Sequence, residues 1–199
     1  MGIRGRKLLY HGVSWAAKVR ALLPTPVAIY PLASIYDSSG QGNTLTNNNS
    51  VGLRPGPGRR LKRASSFAAA SSMNYSAADA AVHSFGGDMT LSLWVNLASK
   101  PVGEMHPCTK DDASIQREWA VAWQGSVTDR FAFVQGNANW ATLDIAVANT
   151  FGAPALSTWY HILGDVNTVA GTVGIRVNNG ARDSVAKTAT MVNGTEGIR

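Results

Sequence analysis

The fold is decided by residues 89–98, which read Met-Thr-Leu-Ser-Leu-Trp-Val-Asn-Leu-Ala. Apolar side chains occupy every second position of this segment, and mostly polar side chains lie between them. Because successive side chains of an extended strand point to opposite faces, the alternation predicts a β-strand that buries one face. Trp94 interrupts the polar positions, so we expect that face to be covered or curved rather than freely solvated.

Similar short runs lie on both sides of this segment and are separated by clusters of turn residues. The further predicted strands cover residues 27–32, 64–70, 73–76, 119–124, 130–135, 142–149, 158–166, 171–177 and 183–192. Loops are expected at residues 37–43, 47–49 and 54–63. Asn179-Gly180 separates the last two strands and is a preferred pair for a tight type I′ hairpin. No helical crossover intervenes, so antiparallel sheets in a sandwich or barrel are expected.

The composition excludes several classes of protein. The chain has 199 residues, of which 45% are hydrophobic and 15% are charged. An average globular protein has roughly 25% charged residues, so a coiled coil, a charged helical bundle and a disordered acidic tail are excluded. The apolar runs are shorter than the ~18 residues of a membrane helix, which predicts no membrane insertion. Cys108 is the only cysteine. It excludes an internal disulfide and a CxxC metal site, and we expect it to lie in a loop without a catalytic role.

Positive charge is concentrated in the first third of the chain. Residues 1–63 contain ten of the 18 Lys and Arg residues and a single acid, Asp37. We interpret residues 1–26 as a basic N-terminal arm that docks on an acidic protein surface or on anionic lipid, whereas a nucleic acid partner is not expected. The alternative is a solvated arm that only neutralises the acidic remainder of the same protein.

The arm contains a set of basic and apolar side chains that we expect to contact a partner. They are Arg4, Arg6, Lys7, Leu8, Leu9, Lys18, Arg20 and Leu22. The spacing of the apolar positions is compatible with a short helix, which Pro24 and Pro26 would end. The unbroken apolar run of a secretory signal, ~7–15 residues, is not present, whereas a mitochondrial transit peptide would share the basic character of the arm.

A set of segments follows in a definite order along residues 27–199. The segments are Tyr30-Pro31-Leu32, residues 37–43, Ala64-Ser65-Ser66-Phe67, Tyr75, and residues 89–95, 119–123, 130–133, 157–161 and 171–180. Their order and spacing resemble the laminin-G-like jelly roll of the concanavalin A-like superfamily. The resemblance implies an all-β domain over residues 27–199, in which two antiparallel sheets form a jelly-roll sandwich. It also implies that Trp94 and Trp159 lie in the core.

The resemblance fails at the C-terminal end. Members of the family usually close the sandwich with a further hairpin and a Gly-x-Ile-Asp-like strand beside the first strand. The present sequence reaches Glu196-Gly197-Ile198-Arg199 where that element would begin. The resemblance therefore implies either a fragment or a sheet edge that another polypeptide completes. An unpaired edge strand exposes backbone donors and acceptors, so it is a template for docking.

Catalysis is not expected. Glucanases of the same superfamily use carboxylates in a Glu-x-Asp-x-x-Glu pattern, and glycoside hydrolysis needs two such groups ~5–9.5 Å apart. Asp144 comes nearest to this pattern among the acids on predicted strands, but no second acid lies within four residues of it. The motifs of zinc proteases, P-loop nucleotide hydrolases and α/β-hydrolases are also missing. We interpret His161 as a packed strand histidine because the sequence offers it no evident Ser or Cys partner.

Sugar binding is compatible with the resemblance, because jelly-roll relatives stack aromatic rings on sugars and fix the hydroxyls with Asn or Asp. The candidate residues are Trp119, Trp123, Trp140 and Tyr75, with Asn137 and Asn139 beside Trp140. The surroundings of Trp140 resemble an exposed turn. The alternative for each aromatic residue is a place in the core of the sandwich.

A metal or other cofactor is not expected. Some relatives hold a structural calcium ion through loop carbonyls and an Asp, and Asp37 matches the early part of that pattern. A hard cation needs several oxygen ligands. The later Asp of the family's pattern belongs to the missing hairpin, so Asp37 is a calcium candidate without its usual companions.

These observations lead to one preferred function and one alternative. The preferred function is non-catalytic assembly. In this hypothesis the protein decorates a virion surface or fibre, and its basic arm and open sheet edge dock on other chains of a homo- or hetero-oligomer. The alternative is a carbohydrate-binding or adhesion module of a secreted or cell-surface protein, with a cell-surface glycan as its partner.

Overall fold

The structure, a computed structural model, describes residues 26–31, 34–57, 63–67, 74–79, 83–112, 116–125, 127–137, 141–191 and 194–199. The arm residues that were predicted to bind a partner, and the predicted short helix, lie outside these ranges. The described residues form twelve strands: β1 (Thr46–Asn48), β2 (Gly52–Pro55), β3 (Arg63–Ser66), β4 (Asn74–Ser76), β5 (Met89–Asn96), β6 (Glu104–Asp112), β7 (Gln116–Gln124), β8 (Phe131–Gly136), β9 (Leu143–Val147), β10 (Trp159–Asn167), β11 (Thr172–Val177) and β12 (Asp183–Ala186).

Two four-stranded sheets make up most of the fold. One has the order β12-β11-β10-β5 and the other the order β6-β7-β8-β9, and the pairs β1–β4 and β2–β3 form two small ribbons. Every paired neighbour is antiparallel. The prediction of an all-β antiparallel sandwich is therefore confirmed. No helix in the described part of the chain is long and apolar enough to cross a membrane.

The core lies between the two sheets and follows the predicted alternation. Met89 and Val95 of β5 are buried, and Leu91 and Leu93 pack against the same cluster. The β5 residues lie opposite β10, which buries every second side chain from Tyr160 to Val166. The larger side chains of this core come from both sheets: Trp119, Trp123, Phe131, Phe133, Tyr160, Ile162 and Ile175.

Gly164 of β10 lies against Phe133 of the opposite sheet. A Cβ atom at this position would lie 2.4 Å from a ring carbon of Phe133, which is fully buried in the opposite sheet. Non-bonded carbon atoms settle at about 3.5–4.0 Å. The glycine therefore leaves the space that the Phe133 ring occupies.

Strand β6 was not predicted, and Cys108 lies in it rather than in a loop. Pro107 has no backbone N–H to donate, and the pairing with β7 shifts register between Met105 and Cys108. This interruption hides the alternation that would identify a strand. The Cys108 side chain packs against the core, and burial raises the pKa of its thiol to about 12. The thiol is therefore protonated at neutral pH.

The predicted strand at residues 27–32 is not observed among its described residues. The backbone N–H of Ile29 donates to the carboxylate of Asp37 (2.9 Å), and its carbonyl accepts from Ser38 (2.7 Å). These local hydrogen bonds replace the ladder that a strand would need. The predicted loops also change, because part of residues 47–49 pairs as β1 and residues 52–55 and 63–66 pair as the β2–β3 ribbon.

Two other boundaries differ from the predictions. Strand β12 ends at Ala186, earlier than predicted. The Lys187 N–H still donates to the carbonyl of Gly171, but the N–H groups of Thr188 and Ala189 donate to the carboxylate of Asp144 instead of a neighbouring strand. The tight turn after β11 is displaced by one residue from the predicted pair. Its central residues are Asn178 and Asn179, with φ angles of 51° and 58°. Its closing hydrogen bond runs from the Gly180 N–H to the Val177 carbonyl (2.9 Å).

Residues 198–199 lie beside β6. Arg199 and Thr109 exchange two backbone hydrogen bonds of 2.8 and 2.9 Å, and Ile198 bridges Ala77 on one side and Lys110 on the other. Two residues of the chain itself therefore pair with the end of this strand. The hypothesis that another polypeptide completes the edge stays a prediction.

Candidate functional site

The outer surface of the sheet β12-β11-β10-β5 carries exposed and half-buried side chains, most of which are aromatic or polar. They alternate with the buried residues of the same strands, so they point away from the core. We call this surface the aromatic face and define it by Thr90, Ser92, Trp94, Asn96, Trp159, His161, Leu163, Asp165 and Arg176. The register of β5 with β10 places Trp94 opposite His161 and Ser92 opposite Leu163.

Trp94 and His161 form the centre of the aromatic face. Trp94 is 38% exposed. Its ring centroid lies 5.2 Å from that of His161, at an interplanar angle of 43°. The Ser92 hydroxyl lies 2.8 Å from Nε2 of His161. An apolar ring is therefore presented to solvent beside groups that can form hydrogen bonds.

The prediction that Trp94 and Trp159 lie in the core is wrong. Both residues occupy outward positions of the alternation, and Trp159 is half-buried opposite Asn96. The prediction that His161 has no Ser partner is also wrong, because Ser92 bonds to its ring. The two residues are 69 positions apart in the sequence. Only the pairing of β5 with β10 brings them together.

The tight turn after β11 holds one side of the aromatic face. The backbone N–H of His161 donates to the side-chain carbonyl of Asn178 (2.9 Å), and the Asn178 N–H donates to the His161 carbonyl (2.8 Å). The guanidinium of Arg176 donates to the Gly180 carbonyl (3.3 Å). The turn therefore fixes both the backbone of His161 and the side chain of Arg176.

An ion pair lies across the same sheet. Arg182 donates to both carboxylate oxygens of Asp165, with the shortest distance 2.7 Å, and to the hydroxyl of Thr172 (3.1 Å). The guanidinium passes over Gly174, where a Cβ atom would lie 2.3 Å from it. The glycine on β11 thus allows Arg182 to reach the carboxylate on β10.

The pKa of His161 lies below the usual value of 6.5 because burial disfavours the charged ring. The unfolded chain therefore binds more protons than the folded chain as the pH falls below about 6.5. We expect the free energy of unfolding of the wild type to decrease over this range. Denaturant titrations between pH 7.5 and 5 on the wild type and His161→Gln should show a smaller decrease for the variant, and equal decreases would contradict the assignment.

The residues that the sequence singled out for sugar binding do not form one site. Trp119 is only 3% exposed, and its indole N–H donates to the carbonyl of His83 (3.1 Å), so it belongs to the core and is not available for stacking. Trp123 is also buried. Asn137 is half-buried and accepts a hydrogen bond from the backbone of Thr142 (3.2 Å). Trp140 and Asn139 lie outside the described residues.

Asp37 and Asp144 both have structural partners. The Asp37 carboxylate accepts from the backbone N–H groups of Ile29, Ser39 and Asn43 and from the Ser39 hydroxyl. Burial alone would raise the pKa of Asp37. The hydrogen bonds together have the larger effect, so the pKa lies below the usual value of 3.8. Asp144 accepts from Thr188 and Ala189 through both oxygens. Both carboxylates therefore accept hydrogen bonds from groups of the chain itself.

A buried ionic cluster joins β6 and β7. The ammonium group of Lys110 is fully buried and pairs with Glu118, which is also buried, and with Asp79 (3.0 Å). Glu118 also accepts from the backbone N–H of Gly194 (2.7 Å). His83 is buried beside this cluster, and burial and the charge of Lys110 lower its pKa. The described residues contain no group of three or more His, Cys, Asp or Glu side chains that could hold a metal ion.

A small cavity lies against the other sheet. Its volume is about 80 Å³, and its polar lining residues are Glu104, His106, Glu118 and Gln124.

The sequence matches no protein-family model and no curated protein. Its fold is similar to that of domain 4 of AbnA, an extracellular GH43 arabinanase from Geobacillus stearothermophilus, in a complex with arabinotriose. The TM-score is 0.57 and the identity 15%, over 83% of this chain and 76% of that domain. The chain is a β-sandwich.

A second similar structure is that of botulinum neurotoxin type C, from work on its entry into cells through interaction with two ganglioside molecules. The TM-score is 0.56 and the identity 14%, over 82% of this chain. The match spans 39% of the toxin chain, which is less than half of it. At these identities the likeness shows the fold alone.

Proposed function

We propose that the protein is a non-catalytic carbohydrate-binding module and that the aromatic face around Trp94 is its binding surface. The observation that carries the proposal is the exposed Trp94 ring beside His161 on the outside of the sheet. The face of an aromatic ring is electron-rich. It therefore attracts the C–H groups on one side of a sugar ring, which carry a small positive charge.

Polar groups around Trp94 complement the ring. Ser92 and Thr90 are exposed on the same strand, and Asn96 is half-buried on the other side of Trp94. Their hydroxyl and amide groups can exchange hydrogen bonds with the hydroxyls of a sugar. A few polar groups around an apolar surface are typical of sites that fix the orientation of a small ligand.

The similar structures support a carbohydrate-binding module more than a virion component. One of them is a domain in complex with arabinotriose, and the other belongs to a toxin that interacts with gangliosides. The AbnA enzyme is extracellular. We therefore propose an extracellular or cell-surface location and a glycan as the partner. The virion hypothesis depended on the arm and the sheet edge, and no observation on the described residues favours it.

The absence of catalysis is part of the proposal. Ser92 and His161 are within hydrogen-bonding distance, as a nucleophile and its base would be. A third group normally orients the base. In the described part of the chain no carboxylate bonds to the ring of His161. The face is better suited to holding a sugar than to cleaving it.

Replacing Trp94 by alanine tests the site. Removal of a central aromatic residue from a binding surface typically costs at least about 2 kcal/mol, which is an affinity loss of about 30-fold. We expect a glycan array of neutral and acidic oligosaccharides to identify ligands of the wild type, and calorimetry to show this loss for Trp94→Ala.

The matched control is Tyr36→Ala, which removes an aromatic ring that is 68% exposed outside the aromatic face. Its affinity should equal that of the wild type. A wild type that binds no glycan on the array, or a Trp94→Ala variant that binds as well as the wild type, would refute the proposed site.

A further inference from the structure

We infer that the glycan bound by the aromatic face carries a carboxylate, and that Arg176 binds this group. The inference rests on the proposed function and adds the chemical class of the ligand. It starts from the position of Arg176 on the same face as Trp94. Leu163 lies between Ser92 and Arg176, because it pairs with Ser92 on one side and with Arg176 on the other.

The distance from Trp94 to Arg176 suits a short oligosaccharide. Arg176 lies two strands away from β5, and neighbouring strands are about 4.8 Å apart, so the lateral separation is about 10 Å. Arg176 and Ser92 share one row of the face, and Trp94 lies two residues further along β5. If one sugar of an oligosaccharide stacks on Trp94, the next sugar would thus lie over Leu163 and reach towards the guanidinium of Arg176.

The charge of Arg176 is not balanced on this face. Its one hydrogen bond to a described residue goes to the carbonyl of Gly180, at 3.3 Å. The other arginine nearby, Arg182, is paired through two nitrogens with Asp165. Asp165 is the only acidic residue among those that define the aromatic face, so no acid of this face is left to pair with Arg176.

The guanidinium group is suited to a carboxylate because its planar N–H donors match the two oxygens. The tight turn already holds one of its nitrogens at Gly180, so the side chain loses less freedom when a ligand binds. A neutral sugar could use the same donors only through weaker hydrogen bonds to its hydroxyls. The arrangement therefore favours a sugar acid over a neutral sugar.

The test uses pairs of ligands that differ in the carboxylate. One pair is trigalacturonic acid and its methyl ester, and the other is sialyllactose and its methyl ester, so the pairs separate a uronic acid from a sialic acid. Calorimetry on the full chain should show tighter binding of the acid in at least one pair. Arg176→Met should lower the affinity for the acid by about 10- to 100-fold and leave the affinity for its neutral counterpart unchanged.

Arg63→Met is the matched control, because Arg63 is exposed on β3 and the same charge is removed away from the aromatic face. It should not change the affinity for the acid. Two results would overturn the carboxylate inference and leave the proposed function standing. One is that the acid and its neutral counterpart bind equally well and that both need Trp94. The other is that Arg176→Met keeps the wild-type affinity for the acid. Binding of no member of either pair by the wild type would overturn this inference, whereas the proposed function is judged separately on the array.

Discussion

Replacing Lys110 by methionine is expected to lower the free energy of unfolding by about 3–5 kcal/mol, the cost of leaving a buried charge without its partner. Lys110 is fully buried and its ammonium group contacts Glu118, which is itself 2% exposed. The variant has no group that can replace this ammonium beside the Glu118 carboxylate. Urea denaturation at pH 7 measures the loss.

A double variant separates charge from packing. Lys110→Met with Glu118→Gln removes both charges, and the Gln carbonyl can still accept from the Gly194 N–H and the Ser84 hydroxyl. Because removing both members of a buried pair is less costly than removing one, we expect the double variant to be more stable than Lys110→Met by at least about 1 kcal/mol.

The control for this experiment is Lys100→Met. Lys100 pairs with Asp129 at 2.7 Å, but both side chains are partly exposed. Exposed pairs contribute about 0–1 kcal/mol, so this variant should be nearly as stable as the wild type. A Lys110→Met variant no less stable than Lys100→Met would show that burial of the cluster does not matter.

Replacing Gly164 by valine is expected to lower the free energy of unfolding by about 3 kcal/mol, the upper end of the usual cost of overpacking. The Cβ atom alone would lie 2.4 Å from the Phe133 ring, and both residues are in the packed interior between the sheets. Either the ring or strand β10 must move. Chemical denaturation of the variant measures the effect.

A second substitution shows whether the contact with Phe133 is the cause. In a Phe133→Leu background the ring is absent, so Gly164→Val should cost less than it does in the wild type. The matched control is Gly52→Val on β2, where an added Cβ atom has no neighbour within 4 Å. Valine is favoured in strands, so this variant should be as stable as the wild type. Equal costs of Gly164→Val in both backgrounds would contradict the packing argument.

The sequence predicted the parts of the fold that depend on residues close together along the chain. The alternation in residues 89–98 identified β5 and its buried face, and the structure follows it. The same alternation placed Trp94 on the outer face. The family resemblance led to the opposite prediction for this residue, and the local pattern proved to be the better guide.

The parts that were missed depend on contacts between distant residues or on interruptions of the pattern. Strand β6 could not be recognised because Pro107 and the register shift beside it break the alternation. The bond from Ser92 to His161 requires the register of β5 with β10, which the sequence does not specify. The tight turn differs from its prediction by one position, because two asparagines rather than Asn179-Gly180 adopt the positive φ angles.

Gly174 has a consequence for the entropy of ligand binding. Because Gly174 lacks a side chain, the guanidinium of Arg182 can pass over β11 and join the segment after the tight turn to Asp165 on β10. This ion pair cross-links two parts of the sheet that carries Trp94 before any ligand arrives. Groups that are already held in place lose little conformational freedom on association, so more of the contact energy remains as affinity.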